Sequence, residues 1–356
     1  MKRVASLLCL VAAGAGGGGG PADCTMPSSG AEQKYVVNSL LMPQQMPADQ
    51  NFSFDLNGDK KADNALLGLV TALKSQGLSV QAGVDDSVGL GNVVLLIDET
   101  GMSLDNNDCA KSVVTAGAPF AGAPAGACTA GSCTTGKCYI SASGNTTGCG
   151  PKFDGTESWT PMPSTAQATF QGAIVSGVFT SNNPATTKSP VSFALALPLI
   201  AGAPPVSLKI SGARITYTKS GMMAMKGQIN GAVKKSDLDT DVIPAVAKLL
   251  DSRVRADPTS STNQGILGLF DTGTGCTATD YNYNATDTDF DTSSPAMASD
   301  GKIALCEVAN NGLIKSLLKP DVQMFDANGN YAPSSANTTP DSLSIGIGFT
   351  AINATF

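Results

Sequence analysis

The stretch DLNGDKKADN, residues 55–64, places Asp55, Asn57, Asp59 and Asp63 at alternate positions. Side-chain oxygens at that spacing are ligands for a hard cation. An EF-hand loop binds calcium through positions 1, 3, 5, 7 (by its carbonyl), 9 and 12, with glycine at 6 and a bidentate glutamate at 12. With Asp55 at position 1, Asn57, Asp59, Lys61 (by its carbonyl) and Asp63 fill positions 3, 5, 7 and 9. Lys60 stands at position 6 and Leu66 at position 12, so the loop starts well and lacks its closing acid. The competing reading is a solvated Asp/Asn turn that caps a helix at Ala65. Three carboxylates in so short a segment repel one another unless something positive lies among them, which favours calcium.

A second set of acids has the complementary shape. In SDGKIALCEV, Glu307 taken as position 12 puts Asp300 at 5, Gly301 at 6 and Ile303 at 8. Ala296 and Ala298 then fall at positions 1 and 3, so this segment has a back half and no front. The front is supplied by LFDTG, residues 269–273, directly after a helical pattern. The reading is an EF-hand loop split by an insertion, with Asp271 at position 1 and Asp300 and Glu307 beyond the insertion. Cys276 and Cys306 would pair to close it. The alternative is an acidic, Thr-rich surface loop, with Asp287, Asp289 and Asp291 as a solvated run. A third run, MFDANGNY, has Asp326, Asn328 and Asn330 at the same spacing but a single carboxylate, and is read as a turn.

Other chemistries are narrowed by what is missing. The chain has no histidine, which removes Ser-His-Asp and Cys-His catalysis and imidazole zinc sites. Charged residues make up 14% and the net charge is −7, with no basic patch for nucleic acid. Asp85, Asp86, Asp98 and Glu99 are the adjacent acids of a folded core, and a carboxylate-dependent hydrolase would need two of them across a cleft. An apolar run, FALALPLI, would equally line a cavity for a hydrophobic ligand or form part of a sheet core.

These candidates must be positioned by elements. ALLGLVTALKSQ reads as a helix with Leu66, Leu69, Val70 and Leu73 on one face. Residues 24–50 read as irregular, and from residue 80 the apolar period changes to two. NVVLLIDETG, ATFQGAIVSGVFTS, PVSFALALPLI, PVSLKISGARITYTK, MMAMKGQINGAV and SLSIGIGFTAINATF read as strands. Between them lies a helix with Ile243, Val246, Ala247, Leu250 and Val254 on its apolar face, followed by a shorter helix, TNQGILGLF. The fold class is α+β: mainly an antiparallel β-sandwich or curved sheet, with an EF-hand-like helical insert and a returning C-terminal strand. Phe356 ends the chain as outer-membrane barrels often do, but aromatics are 5% with one tryptophan, too few for interfacial girdles.

The N-terminus reads as an export signal: Lys2 and Arg3, a short apolar core, then a Gly-rich tether. Ala15 stands where a lipoprotein cysteine would be. Cys9 falls in the signal, and the other eight cysteines suit an oxidising compartment. Cys128, Cys133, Cys138 and Cys149 are read as disulfides rather than a thiolate metal site. The expected organisation is a signal and tether over 1–20, a β-rich domain over 21–235 with a Cys-rich insertion near 115–150, an EF-hand-like helical segment over 236–320, and a C-terminal strand over 321–356.

The order LFDTG, DGKIALCEV, NNGLIKSLL, KPDV and a final LSIGIGFTA resembles exported proteins and lipoproteins of myxobacterial type that carry EF-hand signatures and no assigned activity. The likeness covers most of residues 50–356. It implies calcium binding and no reaction. The expectation is therefore an exported surface protein, periplasmic, outer-membrane-associated or extracellular, with calcium in a structural role and a cell-surface or envelope partner.

Overall fold

Alternation of apolar and polar residues decides most of the architecture. In the computed structural model the described residues are 30–44, 50–75, 79–120, 128, 133, 135–141, 147–162, 167–182, 190–197, 206–220 and 224–356. The export signal and tether, with Cys9, Ala15 and Cys24, lie outside them. The chain runs through β1 (Ala31–Leu41), α1 (Leu66–Ser75), α2 (Val80–Gly89), β2 (Leu95–Gly101) and β3 (Asn107–Ala116). It continues through β4 (Lys137–Ile140), β5 (Thr147–Gly150), β6 (Ala168–Val175), β7 (Val178–Ser181), β8 (Phe193–Leu197), β9 (Val206–Ser220) and β10 (Ala224–Lys234). Then come α3 (Ile243–Ala256), α4 (Ser261–Phe270), β11 (Tyr281–Tyr283), β12 (Phe290–Pro295), α5 (Leu305–Asn310), α6 (Gly312–Leu317) and β13 (Ser342–Asn353).

The sheet is antiparallel throughout and closes on itself. Its order is β10-β13-β1-β2-β3-β6-β7-β9, and β9 pairs back to β10, which makes an eight-stranded barrel; β8 adds to the other part of β9. The expected α+β class with a mainly antiparallel sheet holds coarsely, and the sheet is a closed barrel rather than a sandwich or an open curved sheet. Closure removes the two open edges that a curved sheet would leave. The final strand does return, inserted between β10 and β1, with Val233 opposite Leu343 and Tyr35 opposite Asn353.

Two corrections explain the closure. Within the stretch read as irregular, Ala31–Leu41 is strand: Tyr35 and Val37 on one face and Val36 on the other make β1 a two-sided strand of eleven residues. Residues 80–89 are not strand but helix. Val80, Val84 and Val88 recur every four residues, and the Ser79 hydroxyl accepts the Ala82 amide as an N-cap. The helical pattern stands in the sequence, interrupted by Gly83, Asp85 and Asp86.

One core fills the barrel. Tyr35, Phe170, Phe179, Tyr217 and Phe349 are all buried, with Phe179 stacked on Tyr217 at 4.9 Å and Phe349 edge-on to it at 6.4 Å. Helices α1 and α2 add Leu66, Val70, Val80, Val84 and Val88 to the same cluster. The interior is therefore packed by side chains, as eight strands allow. A second cluster joins α3, α4, α5 and α6 through Ala247, Leu250, Val254, Ile266, Phe270, Val308 and Ile314. α3 is entered through a π-helical turn at Leu238–Val242, with Pro244 in its first turn, where the missing N–H is not needed.

Disulfides staple the insertions. Cys128–Cys138 and Cys133–Cys149 tie the β4–β5 hairpin, Cys276–Cys306 closes the later insertion, and Cys109 is disulfide-bonded as well. These bridges fit an oxidising, exported setting. No helix among the described residues is long and apolar enough to cross a membrane.

Candidate cation sites

The first loop begins and ends at a two-way bridge between Phe54 and Asp63, whose amides donate to each other's carbonyls at 3.2 and 2.9 Å. Inside it the acids are turned inward by the loop's own backbone. Asp55 accepts the amides of Gly58 at 2.7 Å and Lys60 at 3.0 Å, Asp59 accepts that of Lys61 at 2.8 Å, and Asp63 accepts that of Leu56 at 3.1 Å. Asn57 is buried and its Oδ1 accepts the Asp59 amide at 3.1 Å. Lys60, at the position where EF-hand loops carry glycine, adopts a left-handed φ of 67°, so the turn is made at a backbone cost. The result is that carboxylate oxygens of Asp55, Asp59 and Asp63 lie within 4.8 Å of one another. The nearest compensating cation is Lys61, whose Nζ is 3.7 Å from Asp59 on a largely exposed side chain. Burial, reinforced by Asp321, Asp59 and Asp55 and opposed by the Leu56 amide, pushes the Asp63 carboxyl up to about 6.

The loop is clamped to the barrel seam. Asn230 of β10 donates to the Phe52 carbonyl at 2.5 Å. Asn64 donates to Gly346 O at 3.1 Å and accepts the Gly346 amide at 3.0 Å, both on β13. The Ala65 amide donates to Ser344 Oγ at 2.8 Å, and that hydroxyl donates to Asp321 at 2.5 Å. Arg214 of β9 lies 3.8 Å over the Phe54 ring. Sequence reasoning missed Asn64, Asn230, Asp321 and Ser344, because their partners are distant in the chain. A Cβ on Gly346 would meet Phe52 O at 1.9 Å and the side-chain amides of Asn230 and Asn64 at 2.6 and 2.8 Å. Gly346→Ala should therefore cost about 1–3 kcal/mol, read as a lower denaturation midpoint, and the loop should lose hydrogen-exchange protection first.

The second set comes together across the insertion. Asp271, at the C-terminus of α4, accepts the amides of Asp300 at 3.1 Å and Gly301 at 2.8 Å. Glu307, in the first turn of α5 and fully buried, accepts the Gly273 amide at 2.6 Å and the Ala304 amide at 2.9 Å. Asp300 accepts the Lys302 amide at 2.9 Å and the Asn282 side chain at 2.7 Å. Burial raises the Glu307 carboxyl, opposed by those two amides and reinforced by Asp271 and Asp300. Residues 271–273 and 299–307 are thus one unit with a hairpin, β11–β12, let into it. Among the described residues, though, the Asp55–Asp59–Asp63 trio is the acidic group drawn within 4.8 Å; Asp271, Asp300 and Glu307 are not. The third run is a turn: Asp326 accepts the amides of Asn328 and Asn330 at 2.9 and 2.8 Å.

The adjacent acids do not face each other across a cleft. Asp85 and Asp86 lie on α2, where Asp86 accepts the Tyr139 hydroxyl at 2.9 Å. Asp98 and Glu99 are neighbours on β2 and so point to opposite faces of the barrel wall. Glu99 points inward to Lys219, at 3.0 Å. In FALALPLI, Phe193, Leu195 and Leu197 are buried in the main core, and the residues after Leu197 lie outside the described ones.

No family model, curated protein or solved structure matches this chain.

Proposed function

We propose that this is an exported calcium-binding surface protein in which calcium is structural. The observation that carries the reading is the convergence of three carboxylates at Asp55, Asp59 and Asp63, whose one ion pair among the described residues is to the largely exposed Lys61, with Arg214 reaching the Asp55 carbonyl at 3.5 Å. Hard oxygen donors suit calcium. Asp55, Asp59 and Asp63 would hold the ion, with Asn57 and the Lys61 carbonyl as further oxygens. Leu66, at the position of the missing acid, is committed to the core, so water would complete the shell. The bound ion would relieve the carboxylate repulsion and fix the strand-to-helix junction on the barrel seam.

Asp271, Asp300 and Glu307 are assigned to a second site of the split EF-hand type, which would hold the helical insert together. The likeness to exported proteins with EF-hand signatures supports the same reading. So does the disulfide content, since the outside of a cell supplies calcium in excess.

Calorimetric titration of the disulfide-intact chain with calcium tests the proposal. Extracellular modules bind with Kd of about 10⁻⁴ to 10⁻³ M. At roughly 10 mM calcium each site should then add about 1.4–2.7 kcal/mol of stability over EDTA. Asp59→Asn should abolish one component and Glu307→Gln the other. Absence of heat, together with an unchanged melting temperature in EDTA, would overturn the reading.

A further inference from the structure

The hairpin let into the split loop builds a pocket that calcium does not use. Tyr281 and Tyr283 lie on one face of β11, and Phe290 of β12 stands opposite Tyr283. Tyr283 is buried and Phe290 stacks on it, with ring centres 5.0 Å apart and planes 19° apart. One face of Phe290 is thereby covered, yet the residue remains 43% exposed. A large aromatic ring is thus stacked on one side and partly open to solvent.

Beside it is a pocket of about 320 Å³ lined by Thr279, Asp280, Tyr281, Phe290, Leu305 and Asn310. That volume lies within the range of small-molecule sites. Its polar groups are fixed in advance. Asp280 Oδ2 accepts the amide and hydroxyl of Thr277, both at 2.8 Å, leaving Oδ1 without a donor among the described residues. Asn310 donates to the carbonyls of Gly275 at 3.3 Å and Cys306 at 3.0 Å and accepts Lys315 Nζ at 3.0 Å, so its amide cannot rotate freely. Gly275 makes this approach possible: at φ 77°, a Cβ there would meet the Asn310 side chain at 2.3 Å. The Cys276–Cys306 bridge pins the two walls together.

The lining selects a ligand class. Asp280 carries the only formal charge in the lining, which disfavours an anion. A wholly apolar ligand would leave Asp280 Oδ1 without a partner. A sugar ring has an apolar C–H face, which suits the electron-rich face of an aromatic ring, and a rim of hydroxyls that pairs with a carboxylate and an amide. We propose that this pocket binds one pyranose ring of a neutral glycan, its C–H face on Phe290 and its hydroxyls on Asp280 and Asn310. The proposal stands apart from the calcium reading.

Saturation-transfer NMR followed by titration of the full chain tests it. The probes are the methyl glycosides of glucose, galactose, mannose and N-acetylglucosamine, with tetramethylammonium as a cation control, each in excess calcium and in EDTA. At least one glycoside should bind with Kd of about 1 mM, as a ligand of this size allows. Phe290→Ala and Asp280→Asn should each weaken it by about tenfold while the melting temperature holds, and Phe290→Trp should retain it. The proposal falls if no glycoside binds in either condition, if Phe290→Ala binds as well as the parent, or if tetramethylammonium occupies the pocket in their place.

Discussion

Replacing Glu99 with alanine should lower the stability of this protein by about 3–5 kcal/mol and its melting temperature by roughly 10 °C. Glu99 is fully buried inside the barrel, and the Lys219 side chain paired with it is 8% exposed. Lys219 also donates to the Leu104 carbonyl. Around the pair lie the Tyr35 and Tyr217 hydroxyls, held well above the ordinary phenol range by burial first and by the Glu99 charge second. Taking away the carboxylate leaves a buried ammonium group with the Leu104 carbonyl and neutral hydroxyls around it and no counter-charge. The cost is the stranded charge rather than the lost attraction. The double variant Glu99→Leu/Lys219→Met should therefore recover most of the loss, since replacing both members of a buried pair with apolar groups is often neutral. A double variant as unstable as the single one would show that the pair itself holds β2 to β9. Denaturant midpoints of the three variants decide between these outcomes.

Breaking the Cys276–Cys306 bridge should have an effect of similar size but confined in space. The bridge closes a sequence separation of 30 residues, and the unfolded-chain entropy it removes corresponds to about 3.6 kcal/mol. In Cys276→Ser/Cys306→Ser, hydrogen exchange should accelerate across 271–310 and leave β9, β10 and β13 protected. The insert has its own fastening to α3: the Ile303 amide donates to the buried Asp251 carboxylate at 2.9 Å, and Arg255 joins Asp251 to Asp287. That contact should keep α5 docked after reduction. Uniform acceleration over the whole chain would instead mean that the insert and barrel unfold as one unit.

What the sequence reveals follows the range of the interactions. β13 and β9 alternate cleanly because one face of each meets the core, and α3 shows its apolar stripe because the neighbouring helices cover only that side. The pairing of Cys276 with Cys306 and the contact of Asp271 with Asp300 and Gly301 are readable because the residue types stand at fixed positions on either side of the insertion. β1 escapes notice because Tyr35, Val36 and Val37 are apolar on both faces, so no alternation appears. The clamp on the first loop escapes for a different reason: Asn64, Asn230 and Ser344 are ordinary polar residues until β10 and β13 bring them to the same end of the barrel. Closure of the ring is likewise a property of pairings more than 300 residues apart, such as Tyr35 with Asn353, on which local pattern is silent.

That last pairing imposes an order of events. Until Ser342–Asn353 is in place, the partner ribbons at Ala31–Leu41 and Ala224–Lys234 each present a bare row of amides and carbonyls to any passing chain. A chain synthesised from its N-terminus must hold this half-made cylinder open until Ser342–Asn353 arrives. Its hazard of sticking to a neighbour is therefore greatest in the interval just before completion, and any helper that shields nascent chains would have most to do there.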